Sequence, residues 1–529
     1  MHPKMKRVVT LGLIAAAGCG IIAASFNGVA TTGASAPAPK EDPRITELQA
    51  VLVDNPRDSL TAIRLATVLA DNNRYEEAAQ WLDLASKLDP SRHEEFVRAV
   101  AGSADASLDE IVAASPRGSG GADVVLSNIL SVSNYSPVGS VHAYALGSHT
   151  CNIGDQPLAW DNNGTPAFGM NAYRLHDGRL MQVGMSFAKT ACCVFNQNGC
   201  GLACSGTGFG LRAGCLDIYS ATWNGNQARL GPRSVINAFT GEFQPLPSGS
   251  GDSTFRRLQI DAADLDTSTY PGALYFVEGV YVCTDSSLAG NTANNATYKR
   301  VTFNASNNMA LAPEMSAGRG AIWAWADHGE GLNALDRDID IRNVDVPDEG
   351  RFVFASKVID NGDGSWRYEY AVFNLNSDRS GGSFSVPVPD SVTVTNVGFH
   401  SPPYHSGEIY DNTFWTSSVG SGAVTWSSPE TYAQNPNTNA LRWGTMYNFW
   451  FEADTAPESA NVTLGLFKPG APGSINAGSI APSAIDCPWD LSGDGQVGSA
   501  DLGVLLGQWG TTYGASDLAE LLGSWGPCN

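Results

Sequence analysis

The chain has 529 residues, enough for three or four domains, and a net charge of −22 with only 31 basic residues. This acidic balance argues against nucleic acid as a partner. Charged residues make up 16 % of the sequence, and the 57 glycines and 13 tryptophans are typical of an exported, loop-rich β protein.

The N-terminus has the pattern of an export signal. Basic residues are followed by a nearly continuous apolar run: Lys4, Lys6, Arg7 and 8–26. Small residues come next, so the order predicts a signal peptide over 1–36, cleaved after Ala30 or Ala36. An uncleaved membrane anchor and a lipid attached to Cys19 remain open as alternatives. With the signal removed, no membrane span is expected, and the protein is predicted to be secreted, periplasmic or on the cell surface.

Residues 41–101 follow a helical pattern. Small and apolar side chains resemble one tetratricopeptide repeat in their register: Leu65, Ala66, Leu69, Ala78, Leu82, Ala85 and Pro90. The pattern predicts a helical hairpin from about Leu60 to Lys87. One repeat does not bury a core alone, so the hairpin is either a partner-binding unit or a spacer packed on its neighbour. A linker rich in Ser, Gly and Ala follows over 102–121.

The central region consists of short alternating apolar runs broken by Gly, Asn, Asp and Pro, which is typical of antiparallel strands. Its length predicts a cysteine-containing β-rich domain over 122–343 and a β-sandwich of seven or eight strands over 350–468. Pro387 predicts that its strand lies at a sheet edge, because proline cannot donate to a ladder. An unstructured linker is expected over 469–486.

The central region also holds an odd number of cysteines: Cys151, Cys192, Cys193, Cys200, Cys204, Cys215 and Cys283. Their spacing lacks the paired CxxC knuckles of a structural zinc site. In an exported chain, three disulfides and one thiol is the simplest count. The spacing leaves the connectivity open.

Near the C-terminus, the stretch 490–501 has the spacing of a calcium loop. Side-chain and main-chain oxygens alternate along it and a carboxylate closes it at position 12: Asp490, Ser492, Asp494, Gln496 (main chain) and Asp501. A hard cation takes about six to eight oxygens, and this spacing supplies them from one segment. The sequence therefore predicts a metal site that holds Ca²⁺.

Two short segments after the loop start follow one pattern, 500–510 and 516–526. The apolar residues of each share a helical face: Leu502, Leu505, Leu506 and Trp509 in the first, Leu518, Leu521, Leu522 and Trp525 in the second. Helices this short are marginal alone, so we expect the two faces to pair. Cys487 and Cys528 bracket the unit, and a disulfide between them is expected to stabilise it by about 4 kcal/mol.

Residues 487–528 resemble a type I dockerin, a duplicated calcium-loop-and-helix module. The resemblance implies the same five calcium ligands and places Ser499 and Ala500 where dockerins often touch a cohesin. The second repeat keeps its helix but has Thr511–Ala515 in place of an acidic loop, so one Ca²⁺ is expected. The implied partner is a cohesin-like protein or a cell-surface component. A loop that only holds the tail folded is the alternative.

One central loop, 399–408, concentrates metal-ligating side chains. His400, His405 and Glu408 are able to bind a transition metal or shuttle protons, unless both imidazoles only hydrogen-bond main chain. The sequence contains none of the HExxH, GxSxG or GxxxxGK[ST] signatures. Glutamates are available for a glycosidase, but no spacing selects a pair: Glu278, Glu330, Glu369 and Glu408.

Residues 122–468 further resemble a group of exported bacterial proteins to which no activity is assigned. The strings that carry this resemblance are Cys151–Asp155, Leu230–Ser234, Phe276–Gly279, Asn376–Arg379, the His400–Glu408 loop and Asn439–Gly444. They support the domain boundaries and bring no chemistry with them.

The fold class expected is therefore multidomain and mainly β: an antiparallel β-sandwich body with an N-terminal α-helical hairpin and a small C-terminal helical calcium module. The function predicted is that of an exported, non-enzymatic binding or structural body with a docking or surface-retention tail. The alternative is a polysaccharide-acting enzyme (a glycoside hydrolase) or a carbohydrate-binding protein, because tryptophans are frequent and aromatic platforms stack on sugars.

Overall fold

The computed structural model describes residues 43–54, 59–71, 81, 120–160, 165–205, 209–242, 247, 249–482, 489–492 and 496–527. The predicted signal peptide over 1–36, with Cys19, and most of the predicted linker over 102–121 lie outside these residues. Among the helices of the described part, none is long and apolar enough to cross a membrane.

Two helices open the described chain, α1 (Pro43–Asp54) and α2 (Ser59–Asp71). Leu65 and Leu69 of α2 are fully buried. They belong to an apolar cluster that also contains Val125, Leu216 and the Cys151–Cys200 disulfide of the β region. The helical pair therefore packs on its neighbour. Apart from Trp81, the predicted second half of the hairpin lies outside the described residues.

The first β unit (residues 120–339) contains two antiparallel sheets and three short helices. Its strands are β1 (Val124–Asn128), β2 (Val132–Val138), β3 (Val141–Leu146), β4 (Ser148–Asn152), β5 (Ala167–His176), β6 (Arg179–Met185), β7 (Ala188–Thr190), β8 (Leu216–Tyr219), β9 (Leu230–Gly231), β10 (Leu258–Asp261), β11 (Leu274–Val282), β12 (Ala296–Phe303) and β13 (Met309–Ser316). Its helices are α3 (Ala221–Asn224), α4 (Thr284–Leu288) and α5 (Trp323–His328).

The larger sheet of this unit runs β13-β12-β11-β5-β6-β10-β3-β2, and the smaller one runs β1-β4-β8. The two edge strands of the larger sheet meet through a side chain. Asn134 of β2 donates to the Met309 carbonyl at 3.0 Å and accepts from the Met309 N–H at 2.6 Å. An apolar core that includes Tyr144, Met170 and Val277 fills the space between the strands.

The second β unit (residues 340–482) is a sandwich of two five-stranded antiparallel sheets. Its strands are β14 (Asp340–Asp345), β15 (Arg351–Asp360), β16 (Trp366–Asn374), β17 (Gly381–Pro387), β18 (Val394–His400), β19 (Thr416–Gly420), β20 (Ala423–Ser427), β21 (Thr445–Ala453), β22 (Pro457–Leu466) and β23 (Ser474–Pro482). The sheets run β14-β15-β16-β21-β18 and β19-β20-β17-β22-β23. Phe384, Trp426 and Phe449 lie in the core between them.

The sandwich differs from its prediction in three ways. It has ten strands instead of seven or eight, because β14 begins at Asp340 and β23 occupies half of the expected linker 469–486. Residues 457–465 of β22 pair with β23 throughout its length. The strand with Pro387 is not at an edge: β22 pairs with 381–385 and β20 with 383–387, so the proline stands beyond the last β22 pair.

The two β units share an apolar cluster, in which Phe276 and Trp325 of the first pack with Phe373 of the second. An ion pair spans the same boundary. Arg179 donates from Nε and Nη2 to the two carboxylate oxygens of Glu369, at 2.6 Å each. Because the core is shared, the units form one packed body. The prediction of a mainly β fold with antiparallel sheets and few helices is confirmed.

The described tail (489–492 and 496–527) contains α6 (Ser499–Gly507), α7 (Ala515–Gly523) and a two-residue ladder between β24 (Gln496–Val497) and β25 (Gly526–Pro527). Both helices end on a glycine, and the chain turns between them over only 508–514. That length leaves no room for a second loop of the kind that precedes α6.

Candidate functional sites

The segment predicted to bind calcium places one carboxylate at the start of α6. Asp501 is fully buried, and its two oxygens accept from the N–H groups of Ser492 and Gly498, at 2.7 Å each. The Ser492 hydroxyl lies 3.4 Å from a carboxylate oxygen of Asp490. Asp494 lies outside the described residues. Carboxylate and hydroxyl oxygens thus converge on one segment, and this donor chemistry fits Ca²⁺.

The charge of Asp501 supports that fit. Burial by itself raises the pKa of this carboxyl, but the N–H donors of Gly498 and Ser492 outweigh burial and lower the pKa to about 2. The group is therefore an anion at any physiological pH. Each of its oxygens keeps a further lone pair for a cation.

The second repeat reproduces the helix start without the loop. Gly514 N–H donates to a carboxylate oxygen of Asp517 at 2.6 Å, as Gly498 N–H does to Asp501. Thr511–Ala515, which was expected to replace the acidic loop, forms the turn and the first residue of α7. The two repeats are therefore equivalent in their helices and different in the segment before them.

The apolar faces of the two helices are divided between an inner and an outer pair of positions. Leu505 and Leu521 are fully buried in one cluster, with Leu502 and Leu518 half-buried beside them. The outer positions are exposed: Leu506 by 52 %, Trp509 by 45 %, Leu522 by 52 % and Trp525 by 49 %. The expectation that whole faces pair holds only for the inner positions. Cys487 and Cys528 lie outside the described residues.

The His400–Glu408 loop contacts the first β unit with each predicted site residue. His400 and His405 donate from Nε2 to the carbonyls of Gln182 and Met185, at 2.8 Å each. Glu408 accepts from the Arg233 N–H at 2.8 Å. The three side chains thus engage three different main-chain groups. This geometry matches the alternative in which the imidazoles hydrogen-bond main chain.

Both histidines are neutral in this setting. Burial lowers the pKa of His405 to about 4 and also lowers the pKa of His400. Ser406 accepts from the Arg256 N–H at 2.8 Å, which leaves its hydroxyl proton for His405 Nδ1 at 2.9 Å. Every polar atom of the His405 ring therefore has a partner. The loop is a structural joint between the two β units.

A buried arginine organises the same boundary. The Arg233 side chain donates to the carbonyls of Met170, Ser186 and Gly444, at 2.8–3.0 Å. Glu278 is fully buried nearby and accepts from Asn171, Tyr173 and Ala321. Through Asn171 and Arg233, these contacts join residues 230–234, 276–279 and 439–444 to the loop that contains Glu408.

The four glutamates considered for a glycosidase lie in different surroundings. Glu278 and Glu369 are buried in satisfied networks, Glu408 caps Arg233, and Glu330 is largely exposed. The tryptophans of the β units are buried or half-buried; among the described residues the most exposed ones are Trp509 and Trp525, both in the tail.

Two disulfides are present in the first β unit, not three. Cys151 bonds Cys200 with 5.8 Å between Cα atoms, and Cys204 bonds Cys215 with 4.3 Å. Cys192, Cys193 and Cys283 lie outside them. Cys192 follows β7 and Cys283 follows β11, and these two strands lie on opposite sides of β5.

One buried cluster is not among the sites predicted from the sequence. Lys189 and Asp217 are each 1 % exposed, and the Lys189 ammonium lies 3.4 Å from the centroid of the Tyr219 ring. Among the described residues, no atom accepts a hydrogen bond from Lys189 Nζ. Burial lowers the pKa of Lys189 and raises that of Asp217. A single lysine in a strand gives no signal in a sequence, because its burial depends on tertiary packing.

No protein-family model matches the chain, and no curated protein shows significant similarity to it.

Proposed function

We propose that the chain is an exported, non-enzymatic β body carried by a calcium-dependent, dockerin-like tail that docks to a protein partner. The observation that carries the proposal is the equivalent exposure of Leu506 and Trp509 in α6 and of Leu522 and Trp525 in α7. Two large apolar side chains per helix, repeated at the same positions and left in water, mark an interaction surface.

Calcium is the organising ion in this proposal. Asp490, Ser492, Asp494, the Gln496 main chain and Asp501 would hold one Ca²⁺, which supplies charge neutralisation that fixes the loop against α6. The support is the burial and anionic state of Asp501 together with the oxygens of Ser492 and Asp490 beside it.

Calorimetric titration of the mature full-length protein tests the stoichiometry. The expected result is one Ca²⁺ per chain, lost in Asp494→Ala and in Asp501→Asn. Asp517→Asn is the matched control, because Asp517 holds the equivalent position in the repeat without a loop. Two sites, or a site that survives Asp494→Ala, would contradict the proposal.

The implied partner is a cohesin-like protein or a cell-surface component with an apolar surface. Retention of the full-length protein on the cell envelope is expected to require Ca²⁺ and to fall at least tenfold in a Leu506→Ser/Trp509→Ser/Leu522→Ser/Trp525→Ser variant. Leu288→Ser, at an 81 % exposed apolar residue of the first β unit, is the control. Unchanged retention of the tail variant would favour a loop that only holds the tail folded.

Two further parts of the proposal concern the N-terminus. The 1–36 signal peptide would deliver the chain to an oxidising compartment, and the two disulfides of the first β unit are compatible with that location. We further propose that the tetratricopeptide-like hairpin is a spacer rather than a partner-binding unit, because buried residues of α1 and α2 pack on β1 and β8.

A further inference from the structure

The chain turns sharply at the adjacent cysteines that follow β7. The N–H groups of Cys192 and Cys193 both donate to the Tyr219 hydroxyl, at 3.3 Å each, and this hydroxyl donates to the Cys193 carbonyl at 2.6 Å. In a strand, successive N–H groups and successive side chains point to opposite sides. Convergence of two N–H groups on one oxygen requires a turned conformation. The two sulfurs are therefore not held on opposite faces of a strand.

Three features of the surroundings favour thiol chemistry at this turn. Lys189 Nζ lies on the Tyr219 ring whose hydroxyl holds the turn. Burial lowers the pKa of Lys189 to about 7, and the negative charges of Asp217 first, then Cys192 and Cys193, oppose this lowering. Cys193 is half-buried, and Phe195 two residues later is 39 % exposed, so the turn lies near the surface. Cationic, partly exposed settings are those in which thiols react.

We propose that Cys192 and Cys193 are a redox-active pair that closes into a disulfide between adjacent residues when a disulfide-bearing oxidant reaches Cys193. The Cys193 thiol loses its proton, and its thiolate attacks one sulfur of the oxidant and releases the other as a thiolate. The Cys192 thiolate then attacks Cys193 Sγ and expels the second thiolate. The protein gives up two electrons and two protons, and the oxidant becomes two thiols.

The third thiol of the unit provides an internal control. Cys283 is fully buried, and burial raises the pKa of its thiol to about 11. We therefore expect it to remain a thiol under conditions that oxidise the pair.

Peptide mapping of the full-length protein tests the proposal. Chymotrypsin cleaves after Phe187 and Phe195 and releases 188–195, which contains Cys192 and Cys193 and no other cysteine. After incubation with glutathione disulfide and alkylation under denaturing conditions, this peptide is expected to have two hydrogen atoms fewer than the reduced peptide and to carry no alkyl group. After reduction with dithiothreitol and alkylation, the peptide should carry two alkyl groups. A peptide that still takes two alkyl groups, or ends as a stable glutathione adduct, would overturn the proposal.

Variants test the order of the steps. Cys192→Ser should stop at a glutathione adduct on Cys193, whereas Cys193→Ser should leave the more buried Cys192 largely unreacted. Lys189→Met removes the amine that packs on the Tyr219 ring and should slow the first step. Tyr219→Phe keeps the ring under Lys189, loses the hydroxyl, and should slow ring closure. Adduct formation at Cys192 instead of Cys193 would refute the assigned order.

Discussion

His405 donates from Nε2 to the main-chain oxygen of Met185 over 2.8 Å, and this bond ties a loop of the second β unit to β6 of the first. The ring must be neutral for its Nδ1 to accept from Ser406 while Nε2 donates. Its neighbours disfavour the protonated ring, because His405 lies beside the apolar Phe187 ring and near the cation of Arg233. The joint between the units is therefore sensitive to acid.

The first prediction concerns that sensitivity. Burial lowers the pKa of His405 to about 4 in the folded protein, against about 6.5 in an unfolded chain. The unfolded state then binds more protons below pH 6.5, so the stability from neutral His405 is complete above that pH and is lost as the pH falls from 6.5 toward 4. At pH 4.5 the loss is about 2 kcal/mol.

Urea unfolding at pH 7.5 and 4.5 measures this loss. Other buried groups also make the folded protein less stable in acid. His149 is one of them, because burial lowers its pKa to about 3. The comparison is therefore between the wild type and His405→Gln, whose acid-induced loss should be smaller by about 2 kcal/mol. His176→Gln serves as the control. Equal acid sensitivity of His405→Gln and wild type would contradict the assignment.

The second prediction concerns Arg233. Its side chain satisfies carbonyls from both β units, so Arg233→Met should leave several buried acceptors without donors and cost about 3–5 kcal/mol in the free energy of unfolding. Arg319→Met removes a surface ion pair with Asp327 and should cost about 1 kcal/mol or less. Denaturant titration followed by tryptophan fluorescence gives both values. A cost for Arg233→Met near that of the control would show that the buried network adds little.

The sequence predicts this fold well where apolar residues alternate and less well where strands are built from small residues. In β23 the alternating buried positions are Ile475, Ala477, Ser479 and Ala481, followed by buried Pro482. The alternation is hidden in the sequence because most of these residues are small and prolines flank the segment. Pro387 suggests an edge, yet β17 is an inner strand: the proline pairs with Ala423 of β20 and lies beyond the last pair with β22. Length and alternation do not reveal which strands meet at a sheet's ends.

The candidate sites divide in the same way. The proposed calcium loop could be predicted from the sequence because its candidate ligands lie within twelve residues, so no tertiary information is needed. The His400–Glu408 loop is readable as a group of polar residues, but its role depends on carbonyls of Gln182 and Met185 that are distant in sequence. The setting of Cys192 and Cys193 depends on Tyr219 and on the burial of Lys189, neither of which leaves a local pattern.

The third prediction concerns the closure of the larger sheet in the first β unit. Asn134 makes two hydrogen bonds to Met309, one as donor and one as acceptor. Asn134→Ala removes both and should cost about 1–3 kcal/mol, with faster amide hydrogen exchange at Met309 and along β2 and β13. Asn134→Asp keeps the acceptor and should protect the Met309 amide better than alanine does. Equal exchange in the wild type and both variants would mean that the edges are held together by packing alone.

The fourth prediction separates the inner and outer positions of the tail helices. Leu505 is fully buried against Leu521, whereas its neighbour Leu506 is 52 % exposed. Leu505→Ala should cost about 2–5 kcal/mol, because it removes buried methyl groups and leaves a cavity. Leu506→Ala should change stability by less than about 1 kcal/mol and instead weaken retention on the cell envelope.

Hydrogen exchange of α6 in the full-length protein, with Ca²⁺ and with a chelator, measures both effects. A tail with so small a core has little stability to lose. Leu505→Ala should therefore expose α6 to hydrogen exchange even with Ca²⁺ present, while the β units keep their protection. For the wild type, Ca²⁺ at about a hundred times its dissociation constant should add about 2.7 kcal/mol to the protection of α6. Loss of α6 protection in Leu506→Ala, or unchanged α6 protection in Leu505→Ala, would contradict the assignment of inner and outer positions. It would also contradict the docking surface proposed from that assignment.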